Sequence, residues 1–275
     1  MAESNNDSEL QHVQEISELA NARYKGDPNF MTSLARGLTV LQAFTPEHAS
    51  MTVPQLAENT GLHRAVVRRC LYTLNALGFV WSSDSRHYQL LPRVLTIGHA
   101  WLHSSNLARQ AQTALEYLSM QLDESCSVAT LDGDAILYIA RASKKRIMKI
   151  DLDRGSSLPA YATSMGMVLL AELTEEELAG YFARVKLDAL TAFTLTDEQA
   201  LRMQLKKVKQ QGYAINDQQL ELGLRSLAVP MYSRKGGVVA AMNVGTHAAE
   251  VSLTDLHDRF LPRLQRAAME LALLL

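Results

Sequence analysis

Apolar residues recur every three or four positions from Ser33 onward, and Leu34, Leu38, Leu41 and Phe44 form one stripe behind a Thr32-Ser33 capping pair, which predicts a first helix. Thr52 opens a second, with Gln55 three residues on as capping-box partner, Pro54 in the first turn, Leu56 and Ala57 turned inward and Gly61 at the stop. A third starts near His63 and carries Val66, Val67, Cys70, Leu71, Leu74 and Leu77 until Gly78 takes the left-handed position. The period then changes. Phe79-Val80-Trp81, a polar turn over 82–85 and Arg86-His87-Tyr88-Gln89-Leu90 read as strand, turn and strand. Three short helices with a tight Thr60-Gly61-Leu62 turn, followed at once by a hairpin, predict a winged helix-turn-helix over 30–91.

Pro92 begins a linker helix over 92–105 through Val94, Leu95, Ile97, Gly98, Trp101 and Leu102, and another helix runs over 106–122. Alternation by two then predicts strands at 127–131, 135–140 and 146–150, the first two joined by an Asp132-Gly133 turn. Helices follow from about Ser164, from Thr174 with Glu177 as box partner, and from Thr196 with Gln199 as box partner until Gly212. Strands return at 213–216, 227–232 and 238–244, with Arg234-Lys235-Gly236-Gly237 between the last two, before a long helix from Ser252. Helices over a mostly antiparallel sheet give an α+β second domain over 106–275. The polar extension over 1–29 carries Leu10, Val13, Ile16 and Leu19 at helical spacing, which fits either an extra helix on a partner surface or a solvated tail.

A chain of 275 residues, 47 % hydrophobic and 20 % charged, suits two packed cores rather than one. It contains no apolar run long enough to span a bilayer and no signal-like start, and Cys70 and Cys126 form no CxxC pair, so a reducing cytoplasm is the expected compartment. The net charge of −2 means that nucleic-acid binding must come from a local surface. Every cation between 27 and 95 is an arginine, whose fork suits phosphate and guanine edges. The third helix is the expected reader, with His63, Arg64, Ala65, Arg68 and Arg69 exposed, Arg36 nearby and Arg86 at the wing tip reaching phosphate or the minor groove. A solvated basic face is the plainer alternative for the helix alone; the hairpin behind it favours the reader. His99 and His103 share a helix face but have no third ligand nearby, so packing rather than a metal is expected. Trp101 and its apolar neighbours are expected to face a second subunit, because paired half-sites on DNA call for a dimer.

Several blocks in order resemble the IclR family of bacterial regulators over nearly the whole chain: Ser33-Leu34-Ala35-Arg36-Gly37-Leu38, Thr60-Gly61-Leu62, Leu158-Pro159-Ala160-Tyr161-Ala162-Thr163-Ser164-Met165-Gly166, Glu221-Leu222-Gly223-Leu224-Arg225-Ser226-Leu227-Ala228-Val229-Pro230 and Asn243-Val244. Their wording is most similar to the branch that controls catabolism of hydroxybenzoate, protocatechuate and β-ketoadipate. The resemblance implies a GAF-like effector domain, a dimer or tetramer, operator DNA as partner, RNA polymerase as a further partner of an activator, and no cofactor, metal or membrane. It departs at Met167, where a basic residue is frequent, and at Ser157, where an arginine is frequent.

Thr163-Ser164-Met165-Gly166 opens a helix, whose free N–H groups and dipole favour a carboxylate. Arg225 can grip the same anion through two parallel hydrogen bonds, or it can pair with Glu221 or Asp217. Asp217 can accept from a ligand hydroxyl, and the resemblance places Ser226, Asn243 and Gly245 on the cavity wall. The expected effector is a small aromatic carboxylate such as protocatechuate or 4-hydroxybenzoate; a non-aromatic acid such as β-ketoadipate is the alternative. An enzyme finds no support, since HExxH, GxxxxGK[ST] and GxSxG are all missing. A winged-helix module that contacts protein instead of DNA stays open and would fail a mobility-shift assay.

Overall fold

A computed structural model describes residues 24–144, 152–233 and 236–274, so the extension over 1–23, the strand expected at 146–150 and residues 234–235 of the expected turn lie outside the described residues. The chain divides into two units, Met1–Ser104 and Ser105–Leu275. Residues 92–104 of the expected linker fall in the first.

In the first unit, α1 (Thr32–Gln42), α2 (Val53–Thr60) and α3 (Arg64–Ala76) enclose a core of Val40, Met51, Leu56, Val67, Leu71 and Val80. The Thr52–Gln55 capping box forms as expected, and Gly61 ends α2 in the left-handed region at φ +66. One cap differs. Met31 caps α1 without a side-chain bond, because the N–H groups of Leu34 and Ala35 both reach the Met31 carbonyl and draw Thr32 and Ser33 into the helix. The wing has a strand that periodicity did not show. β1 (Ser50–Thr52) is only three residues long, too short for alternation to register, and it pairs with β3 (His87–Leu90), which pairs with β2 (Val80–Trp81). Fully buried Met51 opposite Tyr88 ties this strand to the core. The turn between β2 and β3 is organised by Asp84, whose Oδ1 accepts from the N–H groups of Arg86 and His87 at 2.8 Å each. The linker helix α4 (Leu95–Ser104) buries none of its residues, and Leu95, Ile97 and Trp101 are exposed.

The second unit is built on a six-stranded, wholly antiparallel sheet in the order β6-β5-β4-β9-β8-β7, formed by β4 (Ser125–Asp132), β5 (Ala135–Ala142), β6 (Ser157–Pro159), β7 (Ala214–Asp217), β8 (Leu224–Tyr232) and β9 (Val238–His247). This is the α+β arrangement the pattern predicted. One face is largely apolar: Cys126, Val128, Leu227, Val229, Met242 and Val244 pack under α5 (Asn106–Leu122) and α9 (Leu261–Ala272). The wide helical turn Leu256–Phe260 stands just ahead of Pro262, which has no N–H to return to the preceding turn. The other face meets α6 (Ser164–Leu170), α7 (Glu175–Phe182) and α8 (Glu198–Gln211). Asp197, not Thr196, caps α8 by accepting from Ala200 N–H at 2.8 Å, so the expected Thr196–Gln199 box is displaced by a stronger acceptor one residue on. Gly166 has no room for a side chain: a Cβ there would lie 2.0 Å from the Ala160 carbonyl oxygen.

Candidate DNA interface and effector cavity

Helix α3 turns Val67, Leu71 and Leu74 into the core and leaves His63, Arg64, Ala65, Arg68 and Arg69 exposed, as the spacing predicted. His63 caps the helix, its Nδ1 accepting from Ala65 N–H at 3.4 Å. Tyr72 continues the same face and is 79 % exposed, a large aromatic with no burial to explain it. It was missed because it reads as one more apolar position; its place four residues after Arg68 was the available signal. Arg86 is exposed at the wing turn. Arg36 is half-buried instead, with a buried Nε that lacks a hydrogen bond, and it lies close enough to Cys70 for its charge to oppose the upward push that burial gives the thiol. Its predicted place on an open DNA face is therefore only partly met. His99 and His103 lie with ring centroids 4.1 Å apart, and no group of three metal-ligating side chains gathers among the described residues.

Two neighbouring rows of residues across the sheet form the floor of a cleft in the second unit. Asn216, Ser226, Gly245 and Ser125 make one row, and Asn243, Ser127 and Arg141 belong to the next. Tyr138, Leu152, Leu220, Leu224 and the segment Ala162-Thr163-Ser164 complete its lining. Arg141 is the one charged side chain among these lining residues. Its guanidinium donates to Ser127 Oγ at 3.1 Å and Ser143 Oγ at 2.9 Å and lies 6.0 Å from the Tyr138 ring centroid. Burial pushes the Tyr138 phenol up to about 12, only partly offset by Arg141, so it stays neutral. Across the cleft Ser164 Oγ and Ser226 Oγ are 2.8 Å apart, which leaves the pair able both to donate and to accept. Asn216 is spoken for, donating to Ala162 O at 2.8 Å, whereas Asn243 Oδ1 is buried without a partner.

A β-bulge puts Arg141 here. Ser127 pairs with Arg141 and Val128 with Ala140, but Ala129 pairs with Tyr138, so Ile139 is an extra residue in β5. In a regular strand residues three apart face opposite sides of the sheet; the bulge lets Tyr138 and Arg141 share the cleft. The sequence reading ended this strand at 140 and missed Arg141, since a one-residue bulge leaves no mark on a short apolar run.

Arg225, the cation predicted to meet the effector, is turned to the opposite face. Its neighbour Ser226 lines the cleft, so alternation sends Arg225 away. There it holds Asp217 through Nε–Oδ1 at 2.9 Å and a second nitrogen to Oδ2 at 3.0 Å, and donates to the carbonyls of Ala248 and Val251. The pairing with Asp217 is thus the reading that the geometry supports, and Asp217 is not on the cleft either. Met165 is fully buried and Gly166 serves close packing, so neither lines it. Ser164, Ser226, Asn243 and Gly245 do. The α6 N-terminus is capped from within, Thr163 Oγ accepting from Gly166 N–H at 3.0 Å.

A winged helix-turn-helix carried on the same chain as a cleft-bearing α+β unit defines a transcription regulator with a sensing domain. Residues 33–82 match the IclR helix-turn-helix domain and residues 99–273 match the bacterial transcriptional regulator IclR C-terminal domain; the chain belongs to the IclR family, whose members are regulators and not enzymes. It is 49 % identical over 249 residues to the Pca regulon regulatory protein of Pseudomonas putida, covering 90 % of this chain and 85 % of that one. It is 33 % identical over 266 residues to the p-hydroxybenzoate hydroxylase transcriptional activator of Acinetobacter baylyi, covering 95 % and 98 %. Among solved structures, the inducer-binding domain of a double mutant of the PobR transcription factor from Acinetobacter, in complex with 3-hydroxybenzoic acid, is 32 % identical with a TM-score of 0.58, covering 60 % of this chain and 97 % of that chain.

Proposed function

We propose that this regulator controls genes of aromatic-acid catabolism and that its effector is a small aromatic carboxylate such as protocatechuate or 4-hydroxybenzoate, bound in the cleft with the carboxylate on Arg141. The observation that carries the reading is a lone guanidinium at one end of a cleft whose other described polar groups are neutral. Resting over β4, that guanidinium stands two strand spacings from Ser226, about 10 Å, a span suited to a hydroxylated benzoate with a hydrogen bond at each end. Ser164 and Ser226 meet the distal hydroxyl, and the unpartnered Asn243 Oδ1 accepts from a second one. The relatives that regulate the Pca regulon and p-hydroxybenzoate hydroxylase support the aromatic class over a non-aromatic acid. Gly245 keeps the floor open, because a Cβ there would meet only Leu224 at 3.9 Å. Gly245→Val is therefore expected to fold, as a β-branched residue suits a strand, while filling the cleft. Titration calorimetry with both acids should show binding weakened by about tenfold or more; wild-type affinity in this variant would place the ligand elsewhere.

On DNA, α3 enters the major groove and the wing approaches the backbone, with Arg64, Arg68, Arg69 and Arg86 as contacts and Tyr72 beside them. Arg68→Ala should weaken operator binding and, for a phosphate contact, lower the slope of log affinity against log salt by about one unit. Mobility shifts at several salt concentrations check this, and wild-type affinity in single alanine variants of all three α3 arginines would remove α3 as reader. The unburied apolar residues of α4 favour a second copy as partner, giving a dimer or a dimer of dimers in the cytoplasm, with RNA polymerase contacted where the protein activates.

A further inference from the structure

The C-terminus of α3 closes with two reversed bonds. Gly78, at φ +75, donates its N–H to Asn75 O at 3.0 Å, and Phe79 donates to Leu74 O at 2.9 Å. This pairing satisfies two of the helix's last carbonyls and leaves that of Leu77 for an outside donor. The donor is Arg93, sixteen residues further along the chain, one of whose terminal nitrogens bonds Leu77 O. The same guanidinium lies over the Phe79 ring at 5.8 Å from its centroid. Gly78 leaves it space, because a Cβ there would come within 3.2 Å of that nitrogen. A cation at a helix C-terminus is also favoured by the dipole.

What makes this contact more than a cap is where Arg93 sits. It is the middle residue of the tight turn Pro92–Val94 that runs directly into α4, and its own carbonyl accepts from Thr96 Oγ in the first turn of that helix at 2.8 Å. One side chain therefore joins the end of the DNA-reading helix to the start of the linker helix. We propose that Arg93 is a positioning residue that makes α3 and α4 move as one body, so that a displacement of α4 reaches the DNA-reading surface. The proposal rests on α3 as the reader and is independent of which effector binds.

The experiment uses the full chain with duplex DNA from the intergenic region flanking its gene, in wild type, Arg93→Met and Arg93→Lys. Hydrogen exchange is followed over α3 and α4 with and without saturating DNA, and affinity is measured against salt. Coupling is reciprocal, so DNA bound at α3 slows exchange at the start of α4 in the wild type. In Arg93→Met, α3 stays protected by DNA while the protection of α4 is lost, affinity falls about three- to tenfold because fewer molecules hold the competent geometry, and the salt slope is unchanged. Lysine, which can still donate to the Leu77 carbonyl, restores part of both. Protection of α4 that survives in Arg93→Met overturns the proposal. A salt slope reduced by about one unit overturns it differently, by showing a phosphate contact. Absence of protection over α3 in the wild type would instead remove α3 as the reader.

Discussion

Replacing Arg141 by methionine is expected to weaken binding of 4-hydroxybenzoate or protocatechuate by roughly ten- to a hundredfold, the loss of a hydrogen-bonded charge pair worth about 1.5–3 kcal/mol. Methionine keeps much of the stem volume, so the cleft stays filled while the cation goes. The effect should be specific to the acid: calorimetry with the neutral amide should show wild type and variant binding alike, since the amide brings no charge for Arg141 to meet. Arg225→Ala is the matched control. Its guanidinium, 12 % exposed, holds Asp217 and two carbonyls on the other face. Losing it should lower the melting temperature, by about 1–2 kcal/mol of stability once the partial exposure of Asp217 is discounted, and leave the acid's affinity nearly unchanged. A large loss of affinity in Arg225→Ala with none in Arg141→Met would reverse the placement of the carboxylate.

Gly166→Ala is expected to be the most damaging single methyl in the second unit. In most helices alanine in place of glycine stabilises by up to about 1 kcal/mol. Here the new Cβ would lie 2.0 Å from the Ala160 carbonyl oxygen and 2.5 Å from its Cα, and both are backbone atoms that cannot rotate aside. The helix would have to lift from the segment at its foot, carrying Ser164 away from Ser226, so a loss of about 3 kcal/mol or more is expected. Gly180→Ala serves as comparison, because its Cβ would meet only the flexible end of Arg184 at 3.4 Å. Thermal unfolding of the two variants checks the contrast. Equal melting temperatures would mean that the close approach at Gly166 is readily relieved.

The elements were legible where periodicity and caps agree. Thr52 with Gln55, Thr174 with Glu177, and the glycines at 61, 78 and 212 fixed helix ends because each depends on local chemistry. The exposed basic face of α3 was legible for the same reason, its arginines interrupting a regular apolar stripe. The cleft was legible only in part. Ser164 was read from the helix it opens, and Ser226, Asn243 and Gly245 from resemblance to a family; all four line the cleft. The cation did not, because facing depends on strand register: Arg225 stands one residue from a lining serine and is turned away by that single step, whereas Arg141 is brought inward by a bulge between β4 and β5. Pairing across distant strands decides such things, and one strand read alone does not contain it.

Ile139 gives β5 one residue more than the stretch of β4 it pairs with, and both it and Ala140 pack on the apolar face. A deletion of this residue would leave Arg141 opposite Ser127 and Tyr138 opposite Ala129 in an ordinary ladder, with both side chains still facing the cleft. Length variation, usually confined to loops, is thus absorbed here within a central strand. When descendants or designed libraries of this chain are compared, Ser127 is the fiducial to count from, and a gap at 139 should be read as leaving the lining of the cleft unchanged.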